Sequence, residues 1–265
     1  MPEHVVEYGQ VGPPPEPDGR LDAPSFHRNR SAIWSVLGSF LQHRTGNVLE
    51  VGSGTGQHAA AFAAQAPNIT WWPSDLNAKH LASIAAWRAH SKLANLREPL
   101  RIDLLDPSWA IDGSGLEVSF VAILCINVLH ISPWQVSQHL FAGAARHLTT
   151  DGRLFIYGPF MKDAAHTAPS NAAFDAGLRR DNPQWGVRDI ADLRAAAEAI
   201  GLRLAEIVAM PANNFVLVFE RTPAPPDHRR PPSAPRRCRP NELIGRRTTP
   251  VSHRLDRAPT KFTPS

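Results

Sequence analysis

The chain has 265 residues, of which 43% are hydrophobic, enough for one α/β domain with a full core and some additional chain. No segment has the length and apolar character of a transmembrane span, and the first residues lack the charged-then-apolar pattern of a signal peptide. The two cysteines, Cys125 and Cys238, provide no disulfide framework. We therefore expect a cytoplasmic protein without a membrane partner.

The positive charge is concentrated at the C-terminus. Residues 222–265 contain ten Lys and Arg but only three Asp and Glu, so the preceding residues are slightly acidic although the whole chain carries +4. This Pro- and Arg-rich tail lacks periodic apolar residues and is predicted to be disordered. We interpret it either as an electrostatic arm for nucleic acid or anionic surfaces, or as neutral read-through or an altered reading frame past the natural stop. The Pro-rich residues 1–24 are also predicted to be flexible, which leaves 25–221 as the folded domain.

The folded part opens with the pattern of a strand, a tight turn and a helix. A short apolar run containing Glu50 is followed by Gly52, Ser53, Gly54 and Gly56, and an Ala-rich helical segment begins directly afterwards. Glycine is needed where a turn requires positive φ or where a ligand approaches the backbone, and a helix N-terminus offers free N–H groups. The pattern predicts a Rossmann-like nucleotide site; the alternative is a glycine-rich turn without a ligand.

The spacing of these glycines separates two kinds of cofactor. The dinucleotide fingerprint is G-x-G-x-x-G, whereas here the glycines alternate and an acid stands two residues before the first of them. This spacing resembles motif I of class I S-adenosylmethionine-dependent methyltransferases. The resemblance implies that Glu50 and the glycine loop pack against the methionine and ribose portions of that cofactor.

Acidic residues follow the next two predicted strands. Asp75 ends the strand 68–75, at the distance from the glycine loop where an acid binds ribose hydroxyls, and Leu76 lies beside it. The alternative role of Asp75 is that of a helix N-cap. In the methyltransferase pattern the acid after the third strand faces the adenine amino group, which implicates Asp103, with Leu104 as an apolar wall. Asp106 is a weaker candidate, because it fits a turn.

Later segments complete an α/β pattern. The run 118–126 is almost continuously apolar, as in a strand buried on both faces of a parallel sheet, and it ends at Asn127, which resembles a motif IV position at the cofactor. Alternating strands and helices predict a Rossmann-like, seven-stranded, mostly parallel sheet whose last strand is antiparallel. The remaining predicted elements are a helix over 134–148 and strands over 152–157, 202–210 and 214–220.

Together these motifs resemble the methyltransferase-like 26 family, long described as a domain of unknown function. The resemblance runs from about Ser25 to Arg221 and implies a class I methyltransferase fold, but it supplies no substrate. The family often has Ala at the position of Gly52, a change that we expect to be harmless. The matching segments are 28–30, 53–58, 72–75, 130–134, 157–159, 166–175, 185–189 and 210–214.

Three segments should meet beyond the carboxyl ends of the strands, where open α/β sheets bind ligands: 127–134, 157–185 and 211–214. The middle one reads as a substrate wall or lid, or as an ordinary helical connection whose Phe174 and Leu178 pack on the core. His130 is the leading candidate for a general base, since histidine titrates near neutrality; a structural histidine is the alternative.

His166 is the second candidate for the base, and Tyr157 is a third catalytic candidate. His58 is expected to orient backbone near the cofactor. No cluster has the spacing of a metal site, and the N/D-P-P-Y/F tetrapeptide of amino-methylating enzymes is absent. The sequence therefore favours a methyltransferase for a small molecule. A catalytically silent cofactor-binding module is one alternative, and an RNA or protein methyltransferase using the basic tail is the other; without that tail we expect no nucleic-acid partner.

Overall fold

The computed structural model describes residues 13–106, 109 and 118–222. The predictions for the basic tail and for residues 1–12 lie outside the described residues. Among the residues that are described, no helix combines the length and the apolar character needed to cross a bilayer.

In the described part of the chain, nine strands form the sheet. The strands are β1 Gly46–Val51, β2 Ile69–Asp75, β3 Leu100–Arg101, β4 Phe120–Ile126, β5 Leu148–Lys162, β6 Ala165–His166, β7 Arg188–Asp189, β8 Leu202–Met210 and β9 Asn214–Arg221. The spatial order of the seven strands on the main path of the sheet is β3-β2-β1-β4-β5-β9-β8, and the two-residue strands β6 and β7 pair beside β5.

Six α-helices and two short 3-10 turns are found among the described residues. The helices are α1 Pro24–Leu41, α2 Gln57–Gln65, α3 Ala78–Ser91, α4 Trp134–His147, α5 Pro169–Asp181 and α6 Ile190–Glu198, and the 3-10 turns are Leu129–Ile131 and Pro211–Asn213.

The strand directions confirm the predicted fold class. Strands β1 to β5 pair in parallel with their neighbours, whereas β9 runs antiparallel to both β5 and β8. The order reverses between β1 and β4, so the carboxyl ends of these two strands diverge to open a crevice, the usual ligand site of such sheets. The molecule therefore has an α/β Rossmann-like fold with a mostly parallel sheet and antiparallel C-terminal strands.

The sheet is covered on both faces, which explains its nearly continuous apolar strands. In β4, Ile123 and Cys125 face a core that includes α4 and α6, while Ala122, Leu124 and Ile126 face a second core that includes α1 and α2. Successive strand residues point to opposite faces, so every residue of β4 after Val121 is buried against a helix layer.

Strand β5 and the third predicted strand, 100–103, differ most from the prediction. β5 begins at Leu148 instead of residue 152, because Leu148 already pairs with Phe120 before the register shifts ahead of Ala122. β3 contains only two residues, because the Asp103 side chain accepts a hydrogen bond from the Leu105 N–H and turns the chain away from the sheet.

The chain before α1 is attached to the helices beside the crevice. The Leu21 N–H donates to Ser83 Oγ over 2.9 Å, and the Ala23 N–H donates to Gln57 Oε1 over 2.7 Å. The indole N–H of Trp87 donates to the Leu21 carbonyl. These bonds place Ala23 and Ser25 at the mouth of the crevice.

Candidate functional site

The glycine loop joins β1 to α2 in the predicted place. Gly52, Gly54 and Gly56 have φ values of 64°, 55° and 86°, in the left-handed region that favours glycine. A Cβ on Gly56 would lie 2.9 Å from the Cα of Ile84, so α2 and α3 pack too closely there for any side chain.

Gly52 corrects one expectation drawn from the sequence. A Cβ at this position would lie 2.6 Å from Cγ2 of Val128, in addition to the left-handed backbone conformation. An Ala at this position is therefore strained in this protein and not harmless. A Cβ on Gly54, in contrast, would meet nothing within 4 Å and would extend into open space.

Asp75 ties β2 to the glycine loop. Its Oδ2 accepts a hydrogen bond from the Gly54 N–H over 2.9 Å, and its Oδ1 accepts from the Asn77 N–H over 2.9 Å and lies 3.2 Å from His80 Nδ1. The N-cap of α3 is Asn77, whose side chain accepts from the Lys79 N–H, so the alternative of Asp75 as the cap is wrong. A carboxylate has about four lone-pair sites, so Asp75 retains capacity for a ligand hydroxyl.

Glu50 is a buried carboxyl at the floor of the crevice, with 1% of its surface exposed. Its Oε2 accepts a hydrogen bond from the indole N–H of Trp71 over 2.9 Å. Burial raises the pKa of Glu50 to about 8, and the nearby charge of Asp75 adds to this effect. The carboxyl is therefore largely protonated at neutral pH unless a cation comes close to it.

These residues surround a pocket, here called the glycine-loop pocket, that encloses about 940 Å³ of open space including its mouth. Among the described residues that line it there is no Lys or Arg, while Glu50 and Asp75 are both present. Eight of the ten predicted cofactor residues line it: Glu50, Gly52, Ser53, Gly54, Asp75, Leu76, Leu104 and Asn127.

The other two predicted cofactor residues lie nearby without lining the pocket. Gly56 is the N-cap of α2, behind the loop. Asp103 stands between Ile102 and Leu104, which both line the pocket, and one of its oxygens accepts from the Leu105 N–H.

Asn127 lies where this pocket meets a second one. Its N–H donates to the Tyr157 carbonyl over 2.9 Å, and its φ of 58° is left-handed, a conformation that Asn adopts more readily than most residues. This turn at the end of β4 lets Asn127 line both pockets.

The second pocket is formed by the three segments predicted to converge there and, in addition, by α1. From those segments come Asn127, His130, Tyr157, Pro159, Asn171, Phe174, Pro211, Ala212 and Asn214, and α1 contributes Ser25, Arg28, Asn29 and Ala32.

His130 lies in the 3-10 turn after β4, and 6% of its surface is exposed. Burial lowers the pKa of His130 to about 4, and the positive charge of Arg188 adds to this effect. The imidazole is therefore neutral at physiological pH and can accept a proton, although it is a weaker base than free histidine. Its ring contacts Phe174 edge-on, with the ring centroids 5.4 Å apart.

Arg188 holds the turn that carries His130. Its guanidinium donates to the carbonyls of Leu129 and Ser132, on either side of that histidine. A side chain from β7 thus fixes this turn. Because the two segments lie far apart in the sequence, this contact could not be predicted from it.

Tyr157 and His58 both lie beside Asn29 of α1. His58 Nε2 lies 2.8 Å from Asn29 Oδ1, so that nitrogen carries the proton. The Asn29 side chain is also close enough to the Tyr157 hydroxyl to lower its pKa. Burial lowers the pKa of His58 to about 3 and raises the pKa of Tyr157. His58 lines the glycine-loop pocket and contacts a side chain, whereas we expected it to orient backbone.

His166 lines neither of these two pockets. Its Nε2 lies 3.5 Å from Oδ2 of Asp175, a buried carboxylate that also accepts from Arg179 and from the Val187 N–H. This placement favours a structural role for His166.

Helix α5 combines the two roles considered for the segment 157–185, a substrate wall and a helix packed on the core. Leu178 is buried, as expected of a core contact. Phe174 is 44% exposed and lines the second pocket, so the expectation that it packs on the core is wrong. Asn171 donates to the Asn213 carbonyl and fixes the 3-10 turn 211–213 as part of the same wall.

The contribution of α1 to the site is not predicted from the sequence. Arg28 and Asn29 belong to the family pattern at 28–30, which implies no role for them in the site. A signal was present, because Asn29 shares the helical spacing of the buried Phe26, Ile33 and Leu37, and a polar residue on an apolar face needs a partner.

Comparison with solved structures gives the same fold. An O-methyltransferase family protein from Burkholderia thailandensis superimposes with a TM-score of 0.63 at 17% identity, covering 76% of this chain and 58% of that one. CalO1, a methyltransferase of calicheamicin biosynthesis solved with SAH bound, gives 0.54 at 15% identity, with 76% and 61% covered. The mitomycin 7-O-methyltransferase MmcR gives 0.54 at 16%, with 76% and 59% covered. The chain thus spans about three fifths of the length of these proteins.

The family comparison covers the whole described domain. Residues 20–221 match a family model whose description is "Protein of unknown function (DUF938)". The finer resemblance to the methyltransferase-like 26 family stays a prediction. Because the match spans most of the chain, the protein belongs to the DUF938 family.

Proposed function

We propose that the protein binds S-adenosylmethionine in the glycine-loop pocket and transfers its methyl group to a small molecule in the second pocket. The observation that carries this proposal is Asn127, which lines both pockets at the end of β4. Two ligands bound on either side of one residue are held as neighbours, and alignment of two reactants supplies much of the catalysis of a transfer reaction.

The charge of the glycine-loop pocket fits this cofactor. S-Adenosylmethionine carries a sulfonium and an ammonium group and supplies a methyl group activated by the positive sulfur. A pocket whose described lining has two carboxyls and no Lys or Arg suits such a cation better than the pyrophosphate of a dinucleotide. The SAH-bound methyltransferase of similar fold supports the same choice.

Individual residues are proposed to bind the parts of the cofactor and to activate the acceptor. Asp75 is proposed to accept the ribose hydroxyls, Leu104 to contact the adenine, and Glu50 and the glycine loop to hold the methionine portion. His130, neutral at physiological pH, is proposed to take the proton from an acceptor hydroxyl, thiol or ammonium. The walls built by α1, α5 and the turn 211–213 orient that acceptor.

Calorimetry on the full chain tests the cofactor. We expect binding of S-adenosylmethionine and of its demethylated product, and no comparable binding of NAD. Asp75→Asn should weaken cofactor binding by roughly 1–3 kcal/mol, because it disturbs the glycine loop and leaves ligand hydroxyls poorly paired. Asp151→Asn, which alters an exposed carboxylate near Arg44, is the control and should bind like the wild type. Absence of heat with both sulfur compounds, or tight binding of NAD, contradicts the proposal.

The acceptor is sought separately with methyl-labelled cofactor and a metabolite extract. Label should appear in small molecules, and a chain that ends at residue 221 should retain the activity. Label found only in RNA or protein, and lost with the tail, would favour the macromolecular alternative.

A further inference from the structure

The lining of the second pocket carries a charge opposite to that of the glycine-loop pocket. Among the described residues that line it, Arg28 is the one with a full charge at neutral pH, and there is no Asp or Glu. No ion pair within the described residues involves Arg28, whose charge acts on the nearby Tyr157 hydroxyl. A guanidinium beside a concave site attracts an anionic group.

Arg28 is directed to this pocket by the register of α1. Ser25, Arg28, Asn29 and Ala32 follow the i, i+3, i+4, i+7 spacing of one helix face, and all four line the pocket. The hydrogen bond between Asn29 and the buried His58 fixes the rotation of this face. The packing of the helix therefore fixes the point from which the Arg28 side chain leaves α1, although the side chain itself is exposed.

The lining of the second pocket also includes flat apolar surfaces. Phe174 is the one aromatic side chain among the large hydrophobic residues exposed in the described chain, and its ring stands edge-on to His130. Pro159 and Pro211 extend this surface. An aromatic ring left exposed at a pocket is typical of a stacking surface for a planar ligand.

From these two features we propose that the second pocket binds aryl carboxylates, with the carboxylate paired to Arg28 and the ring packed against Phe174. A single planar guanidinium matches one carboxylate through two parallel hydrogen bonds, whereas a phosphate dianion calls for more positive charge than this lining contains. Assigning the aryl carboxylate as the methyl acceptor rests on the function proposed above, but its binding does not.

Tyr157 provides a local readout of this binding. The chain has two tyrosines, Tyr8 and Tyr157, so ring-labelled tyrosine gives a simple NMR spectrum in which Tyr157→Phe assigns the pocket signal. The probes are benzoate, naphthoate and indole carboxylate, each compared with its neutral carboxamide at millimolar concentration. We expect each acid that binds to shift the Tyr157 signal and to bind about tenfold more tightly than its amide, as a charge-assisted pair predicts.

Two variants test the named residues. Arg28→Met should abolish the preference for acid over amide, whereas Arg30→Met, on the same helix but stacked over Phe26, should leave it unchanged. Phe174→Ala should weaken acid and amide equally. The proposal is overturned if no acid shifts Tyr157, if amides bind as tightly as acids, or if the preference survives in Arg28→Met.

The cofactor experiment separates this inference from the proposed function. Cofactor binding without any aryl carboxylate binding would refute only the ligand class. Binding of the acids by a protein that binds no cofactor would refute the methyltransferase proposal and leave the pocket chemistry standing.

Discussion

Nε2 of His58 and Oδ1 of Asn29 lie 2.8 Å apart in the buried space between α1 and α2. This bond joins the helix that follows the glycine loop to the helix that walls the second pocket. Since His58 lines the glycine-loop pocket and Asn29 lines the second pocket, this one bond ties a wall of the first pocket to a wall of the second.

Asn29→Ala tests this link. The substitution leaves the His58 N–H buried without its acceptor, so we expect the free energy of unfolding to fall by about 1–3 kcal/mol. The pKa of Tyr157, already raised by burial, should rise further, because the nearby Asn29 side chain lowers it. Urea denaturation measures the first effect and titration of labelled tyrosine the second. The exposed Asn68→Ala is the control; equal stability of the two variants would contradict the role of Asn29.

Gly52→Ala and Gly54→Ala form a matched pair in the glycine loop. Both place Ala at a positive φ, but only Gly52→Ala also forces a Cβ against Val128. We therefore expect Gly52→Ala to be less stable than Gly54→Ala by about 1–3 kcal/mol, the usual cost of overpacking. Denaturation of both variants measures the difference. Combining Gly52→Ala with Val128→Ala should recover part of the loss, and the lack of any recovery would exclude the proposed contact.

Glu50 predicts a specific pH dependence of stability. Its pKa in the folded protein is raised to about 8 from an ordinary value of 4.5. The folded state therefore binds this proton more tightly than the unfolded chain, and the stabilisation is complete below pH 4.5 and lost as pH rises through 8. Glu50→Gln should become progressively more stable relative to the wild type over that interval.

Thermal unfolding of both proteins between pH 5 and 8.5 measures this effect. His58 and His130 act in the opposite sense, because their lowered pKa values make stability fall as pH drops below 6.5, so the difference between variant and wild type isolates Glu50. The exposed Glu198→Gln is the control and should follow the wild type. A pH-independent difference for Glu50→Gln would mean that the Glu50 carboxyl is ionised throughout.

His130→Ala tests the proposed base once an acceptor hydroxyl is known. We expect turnover to fall by about 10²-fold or more, with little change in cofactor affinity. Because the pKa of His130 is lowered to about 4, its protonation should not limit the wild-type rate anywhere between pH 6 and 9. Initial rates over this range, with the exposed His43→Ala as control, measure both features. Full activity of His130→Ala would leave alignment alone as the source of catalysis.

Local patterns in the sequence predicted much of the fold and of the glycine-loop pocket. Alternating glycines demand a left-handed turn wherever they occur, and an apolar run such as 118–126 identifies a doubly covered strand without reference to its neighbours. Parallel strands then bring their carboxyl ends to one edge, so Glu50, Asp75 and Asn127 could be placed together from chain order alone.

The lining of the second pocket could not be fully predicted from the sequence, because it depends on contacts between residues far apart in the chain. His166 resembles a catalytic histidine in sequence, yet it lies beside Asp175, and Phe174 shares the spacing of a core residue but lines the pocket. The periodicity of a helix indicates that it has a buried face, but not which neighbour that face meets. The sequence determined the strands and the glycine loop, because their backbone requirements are local; only the tertiary structure decided the walls, because they depend on how α1 and α5 pack across the strand ends.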